Sequence, residues 1–216
     1  MLWQEGQTSV LVVGATAAVL LVLALAARAW LAALLVVLAA AVAVAVLAWT
    51  YRLPAELPEV PQRDDVLLAP AHGEVVALAF DAASNLFTLE IQPRWDDPRH
   101  QFYPLPAKVM EHRGAIGTDQ HTVTLRTSRG ADVLLVQQGP AAISNGAAVG
   151  SRVQGGERVG MIHPAWGIHF EAPPRTAVKV LFRAAHFAPA VKLGDRVVAR
   201  QTALAYALGT NNMDKV

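Results

Sequence analysis

Gly156-Glu157-Arg158-Val159-Gly160-Met161-Ile162-His163-Pro164-Ala165-Trp166-Gly167-Ile168-His169-Phe170-Glu171-Ala172-Pro173 reads as a turn, a short strand, a proline-bearing bend and a second strand, with histidines on either side of a tryptophan. The same grammar of short apolar runs between Gly and Pro extends outward from it. Runs of this type cover Glu74–Phe80, Leu86–Gln92, His121–Arg126, Val133–Gln138, Arg158–His163, Ile168–Glu171, Ala177–Phe182 and Asp195–Leu204. No window in this half sustains a long amphipathic helix, so the pattern predicts an all-β sandwich or partly open barrel.

The N-terminus has a different character. From Thr8 to Trp49 the only ionisable side chain is Arg28, and nearly all the rest is Ala, Val and Leu. A spanning helix needs about 20 apolar residues, and this run is about twice that, which fits a hairpin of two spans at about 9–27 and 30–49. The hairpin places Arg28 at the interface beside Trp30, where a single long helix would leave its charge in hydrocarbon. A cleaved signal peptide is disfavoured, because Glu5 is the only charged side chain ahead of the run and a second span follows at once. The expected layout is a two-helix transmembrane hairpin over 1–50, a Pro-rich linker over 51–65, a β domain over 66–207 and a flexible tail over 208–216.

Composition removes several function classes. The net charge is +1, with no basic run interleaved with aromatics, so nucleic-acid binding is not expected. Cysteine is absent, which excludes disulfides, thiolate metal sites and a cysteine nucleophile.

Taken in order, several segments are similar to the short, two-span form of phosphatidylserine decarboxylase. Tyr51-Arg52-Leu53-Pro54 resembles the family's Phe-Arg-Asp-Pro, and Leu68-Ala69-Pro70-Ala71-His72-Gly73-Glu74-Val75 its Ser-Pro-Ala-Asp-Gly-Lys-Val strand. Phe87 to Val109 resembles the stretch that holds His-Val-Asn-Arg-x-Pro, and Val136-Gln137-Gln138-Gly139 the Val-Gln-Ile-Ala-Gly region. Gly156 to Ile162 looks like Gly-Glu-Arg-Phe-Gly-Leu-Ile, and Gly194 to Ala205 like Gly-Asp-x-Val-x-Ala-Gly-Glu-Thr-x-Leu-Ala. The likeness runs from the hairpin to about Ala205 and implies that family's β fold.

That family cleaves its own chain at a Gly-Ser bond, and the serine becomes a pyruvoyl group that serves as electron sink for decarboxylation. Self-cleavage needs a β-hydroxyl or thiol to attack the preceding carbonyl, and a base to activate it. Counted without gaps from Gly160-Met161-Ile162, the Gly-Ser pair falls on Ala165-Trp166, and no Ser, Thr or Cys lies between Ser151 and Thr176. His72 stands where the family has the acid of its Pro-Ala-Asp-Gly turn, and His100 lies one position off the family's histidine. His72, His100, Ala165 and Trp166 are therefore degenerate site positions, and no pyruvoyl cofactor is expected. Trp166 and Phe170 are expected to fill the former pocket.

Zinc is the other chemistry that histidines suggest. His72, His100, His163 and His169 sit on separate turns without His-x-His or His-Glu-x-x-His spacing, so no metal site is expected. Gly167-Ile168-His169-Phe170-Glu171 resembles the close of a zinc peptidase, but the partner ligands of that family are missing. Arg94-Trp95-Asp96-Asp97-Pro98-Arg99-His100 reads as a charged, solvated loop, with lipid head groups or a partner protein as its alternative contacts. Ser128 and Ser144 lie in loops with no base and acid beside them in a recognised motif.

The expectation is a non-catalytic, decarboxylase-like membrane protein, a structural or accessory subunit whose partners are other integral membrane proteins and possible phospholipid head groups. Arg52 and Arg63 after the second span, together with the resemblance, place the β domain on the cytoplasmic face of a bacterial inner membrane. The competing expectation is a divergent phospholipid decarboxylase or a phospholipid-binding regulator.

Overall fold

A computed structural model describes residues 4–26, 30–50, 60, 62–94, 97–114, 120–139, 141–142, 146–162 and 176–209. The chain divides into two compact units, residues 1–56 and 57–216.

The first unit holds helices α1 (Gln4–Ala26) and α2 (Trp30–Thr50). Helix α2 is long and apolar enough to cross a membrane over Trp30–Trp49, with mean hydropathy 3.0, whereas the apolar stretch of α1 is the shorter Val10–Leu23. By length and composition α2 fits a membrane span or an N-terminal signal sequence. Leu31, Leu34, Leu35 and Leu38 lie exposed along it, as side chains facing lipid would. The expected turn at Arg28 lies outside the described residues.

In the second unit the described residues form strands β1 (Val66–Leu68), β2 (Gly73–Asp81), β3 (Leu86–Gln92), β4 (His100–Phe102), β5 (Ala107–Arg113), β6 (Gln120–Arg126) and β7 (Asp132–Gln138). These are followed by β8 (Ala141–Ala142), β9 (Arg152–Val153), β10 (Arg158–Ile162), β11 (Ala177–Arg183), β12 (Phe187–Pro189), β13 (Arg196–Val197) and β14 (Ala203–Ala207). An eight-stranded sheet runs β13-β2-β3-β11-β7-β6-β5-β9, and two three-stranded sheets run β1-β14-β12 and β4-β10-β8. All pairs are antiparallel.

The period-two pattern builds the core. Leu89 and Ile91, Val123 and Leu125, Val133 and Leu135, and Val178, Val180 and Phe182 point inward from β3, β6, β7 and β11, and each is fully buried. Phe187, Leu67, Leu204 and Val159 complete a single cluster fed by all three sheets. Each such side chain stabilises the fold by about 1.5–3 kcal/mol relative to exposure. Register shifts between Val75 and Ala77 and between Val109 and Glu111 mark bulges that bend the large sheet.

The structure corrects three expectations. Asp195–Leu204 is not one strand: β13 and β14 are separated by a turn in which Arg200 has φ 68° and the Thr202 hydroxyl accepts the Val198 N–H at 2.9 Å. Residues 62–65 are not free linker, because Gln62 bonds both ways with Gly155 and the Asp65 carbonyl accepts the Ala207 N–H at 2.7 Å. The stretch before His121 holds two further strands, β4 and β5. Strand β4 is too short to carry a pattern, and a bulge breaks the alternation of β5. Ile168–Glu171 lies outside the described residues.

Candidate functional site

Strand β4 is the centre of the site. On one side it pairs with β10, with His100 opposite Met161, Gln101 opposite Gly160 and Phe102 opposite Arg158. On the other side the Phe102 N–H donates to the Pro70 carbonyl and the Leu68 N–H to the Pro104 carbonyl, each at 2.8 Å. His72 lies in the bend just before β2, and His100 opens β4. Ala165 and Trp166, with His163 and His169, lie outside the described residues.

The described residues of Arg94–His100 that precede β4 do form a loop, but the expectation that it is solvated is corrected here. Asp97, Arg99 and His100 have only 3%, 7% and 0% of their surface exposed. Asp97 is held by the Arg196 guanidinium at 2.6 Å and by the Arg94 N–H at 2.8 Å, which ties this segment to β13. Pairing to β10 then draws His100 and Gln101 into the interior, a long-range contact that local charge density does not reveal.

The site is polar where the surrounding core is not. Gln101 is fully buried and accepts a hydrogen bond from the Gln137 amide of β7. The Gln101 Nε2 and the Gln137 Oε1 have no hydrogen-bond partner among the described residues. A buried amide group left unsatisfied costs about 1–3 kcal/mol, which sets this pair apart from the apolar core around it. Neither glutamine was singled out from sequence, although Gln137 closing the apolar run Val133-Leu134-Leu135-Val136 was an available signal.

Arginines surround Phe102. Arg200 lies with its guanidinium carbon 5.4 Å from the ring centroid, a cation–π distance, and burial draws its pKa below the ordinary arginine value. It adopts φ 68° although it carries a Cβ, which costs roughly 1 kcal/mol or more. Gly156, at φ 78°, makes room for it: a Cβ there would stand 2.8 Å from the Arg200 Nε and 2.5 Å from the Val60 Cγ2. Arg158, opposite Phe102, adds a second guanidinium with buried nitrogens.

Three described serine hydroxyls are engaged in hydrogen bonds within the fold. Ser128 donates to Asp64, Ser151 donates to the Ala148 carbonyl at 2.6 Å, and Ser84 donates to Asp81 at 2.6 Å. Ser144 lies outside the described residues. Among the described residues no three His, Asp or Glu side chains come together in a metal-ligating group. Two histidines do meet: His112 and His121 have ring centroids 5.5 Å apart, and His112 Nε2 bonds the Ala147 carbonyl at 2.9 Å. Burial, with His112 alongside, holds His121 below the ordinary histidine pKa.

The polar groups gathered around β4 are guanidinium, amide and imidazole side chains. No family model and no curated protein matches the chain.

Proposed function

We propose that this chain is a non-catalytic relative of phosphatidylserine decarboxylase, acting as a structural or accessory subunit of a membrane complex. In this reading residues 1–50 form a two-span hairpin in a bacterial inner membrane, and the β unit faces the cytoplasm. The observation that carries it is the stretch between Ser151 and Thr176, which contains no hydroxyl or thiol where the family would cleave itself. Two further departures support it. His72 replaces the acid of the family's turn, and Arg200 occupies, in left-handed backbone, the position where the family's closing motif has glycine. The Arg200 side chain, packed over Phe102, thus outweighs backbone comfort at that position.

The buried Gln101–Gln137 pair, with Arg200 over the neighbouring Phe102, favours one second reading, in which the old pocket still receives a phospholipid head group and the chain regulates lipid chemistry. A divergent decarboxylase would share that pocket but needs another route to an electron sink.

Intact-mass spectrometry of the native protein tests the main reading. One uncut species near 23.0 kDa is the expected result. Two fragments split near Ala165 would show that a pyruvoyl enzyme survives. Purification from native membranes in mild detergent tests the subunit role: stable integral-membrane companions are expected, and a solitary monomer would count against it.

A further inference from the structure

A second polar site lies on the outer face of the large sheet, away from β4. Lys108 in β5 sits directly opposite Arg126 in β6 on one side and Arg152 in β9 on the other. All three side chains are exposed, while their neighbours Val109, Leu125 and Val153 point into the core, so the three cations share one face. Cross-strand neighbours stand about 4.5–5.5 Å apart at the backbone, and like charges placed so are destabilising. A sheet shaped for stability alone would put a carboxylate at the central position.

Partial compensation is present, but not at the centre. Arg126 is paired with Asp132 at 2.7 Å, whereas Lys108 and Arg152 have no carboxylate partner among the described residues. Asp64 also borders the site, yet it is engaged by Ser128 and by Arg129 at 3.4 Å. The three cations line a groove of about 460 Å³ that Gln62, Asp64 and Ser128 help to wall. That volume is within the usual range of small-ligand sites, about 300–1,000 Å³. Gln62 is fixed as a wall by its bonds to Gly155. The cations themselves rise from three hydrogen-bonded strands, which hold them in place before any ligand arrives.

We propose that this groove binds a phosphate group, with Lys108 as the central point charge, Arg152 as a flanking fork, and Arg126, whose Nε and Nη2 are held by Asp132, contributing its charge and remaining nitrogen. A phosphate oxygen set matches an ammonium flanked by guanidinium donors, and the anion relieves the repulsion that the row builds in. The phosphate comes from an anionic lipid head group or from a free phosphate, and the groove recognises the chemistry they share. The inference rests on this groove alone and not on the reading of the β4 site.

The test uses the full chain in neutral detergent micelles, titrated calorimetrically with dihexanoyl phosphatidylglycerol, with inorganic phosphate, and with zwitterionic dihexanoyl phosphatidylcholine. Saturable binding that weakens with added salt is expected for an anionic probe, and the Lys108→Ala/Arg152→Ala double variant should lose about tenfold or more in affinity. Lys192→Ala, which removes an exposed cation elsewhere, should leave binding unchanged. Saturation by phosphatidylglycerol assigns a lipid source, and saturation by inorganic phosphate alone assigns a free phosphate. Lys108→Gln supplies a measurement that does not depend on ligand: removing the central charge should raise the melting temperature of the unliganded protein. Absence of saturable binding by both anionic probes overturns the proposal, as does equal affinity in the double variant or a lowered melting temperature in Lys108→Gln.

Discussion

Tyr103 illustrates how single side chains hold the β4 region. It is 1% exposed, its hydroxyl accepts the Ala147 N–H at 3.0 Å, and its main chain bonds both Gly156 and Glu157 at 2.8 Å. Burial pushes its phenol pKa up, in keeping with a neutral hydroxyl retained for hydrogen bonding. Tyr103→Phe keeps the ring and removes the acceptor, so the expected cost is about 1 kcal/mol. A urea titration of the β unit within the full chain, followed by near-ultraviolet circular dichroism, measures it. An unchanged midpoint would mean that the Ala147 N–H finds water at no cost. At this scale the sequence was a partial guide. His72 and His100 stood out in the sequence through the resemblance, whereas the Gln101–Gln137 hydrogen bond and the Arg200–Phe102 contact did not, because each joins segments far apart in the chain.

Glycine at the start of β2 shows the same dependence at the level of elements. Gly73 packs so closely against β3 that a Cβ would stand 2.6 Å from the Gln92 carbonyl oxygen and 2.8 Å from the Ile91 Cγ2. The first of these is backbone, which cannot swing aside. Gly73→Ala should therefore push β2 from β3 and disturb the Val197 pairing on its other edge, costing about 1–3 kcal/mol. The check is a lowered melting temperature, and a value equal to that of the parent protein would contradict the close approach. Elements with long, regular alternation were legible beforehand: β3 is found at Leu86–Gln92 as expected, and β6, β7 and β11 differ by one residue at an end. Strands of two or three residues, such as β4, β9, β12 and β13, carry too few positions for a period and exist only through their partners.

For the molecule as a whole, acid should weaken the β unit in two steps. His121 is held below its ordinary pKa, so the folded chain refuses a proton that the unfolded chain accepts. Its contribution is therefore complete above about pH 6.5 and is lost as the pH falls below that value. Asp65, Asp132 and Asp81 are also held low, by hydrogen bonds from Arg63, Arg126 and Ser84 respectively. Their contributions are present above the ordinary carboxylate range and disappear only at lower pH. Scanning calorimetry of the full chain across pH should resolve both limbs, and His121→Gln should flatten the upper one. An identical upper limb in that variant would remove His121 as its cause.

The sequence by itself determined the partition of the chain into an apolar helical start and a β remainder, because composition and period are local properties of consecutive residues. It determined equally that no hydroxyl or thiol lies between Ser151 and Thr176, since absence from a chain needs no fold to interpret. Only the tertiary structure decided that His100 and Gln101 are interior and that Lys108 stands between two arginines. Both follow from strand register, and register is set by partners tens of residues away, where hydrogen-bond geometry and burial of one face select a single alignment.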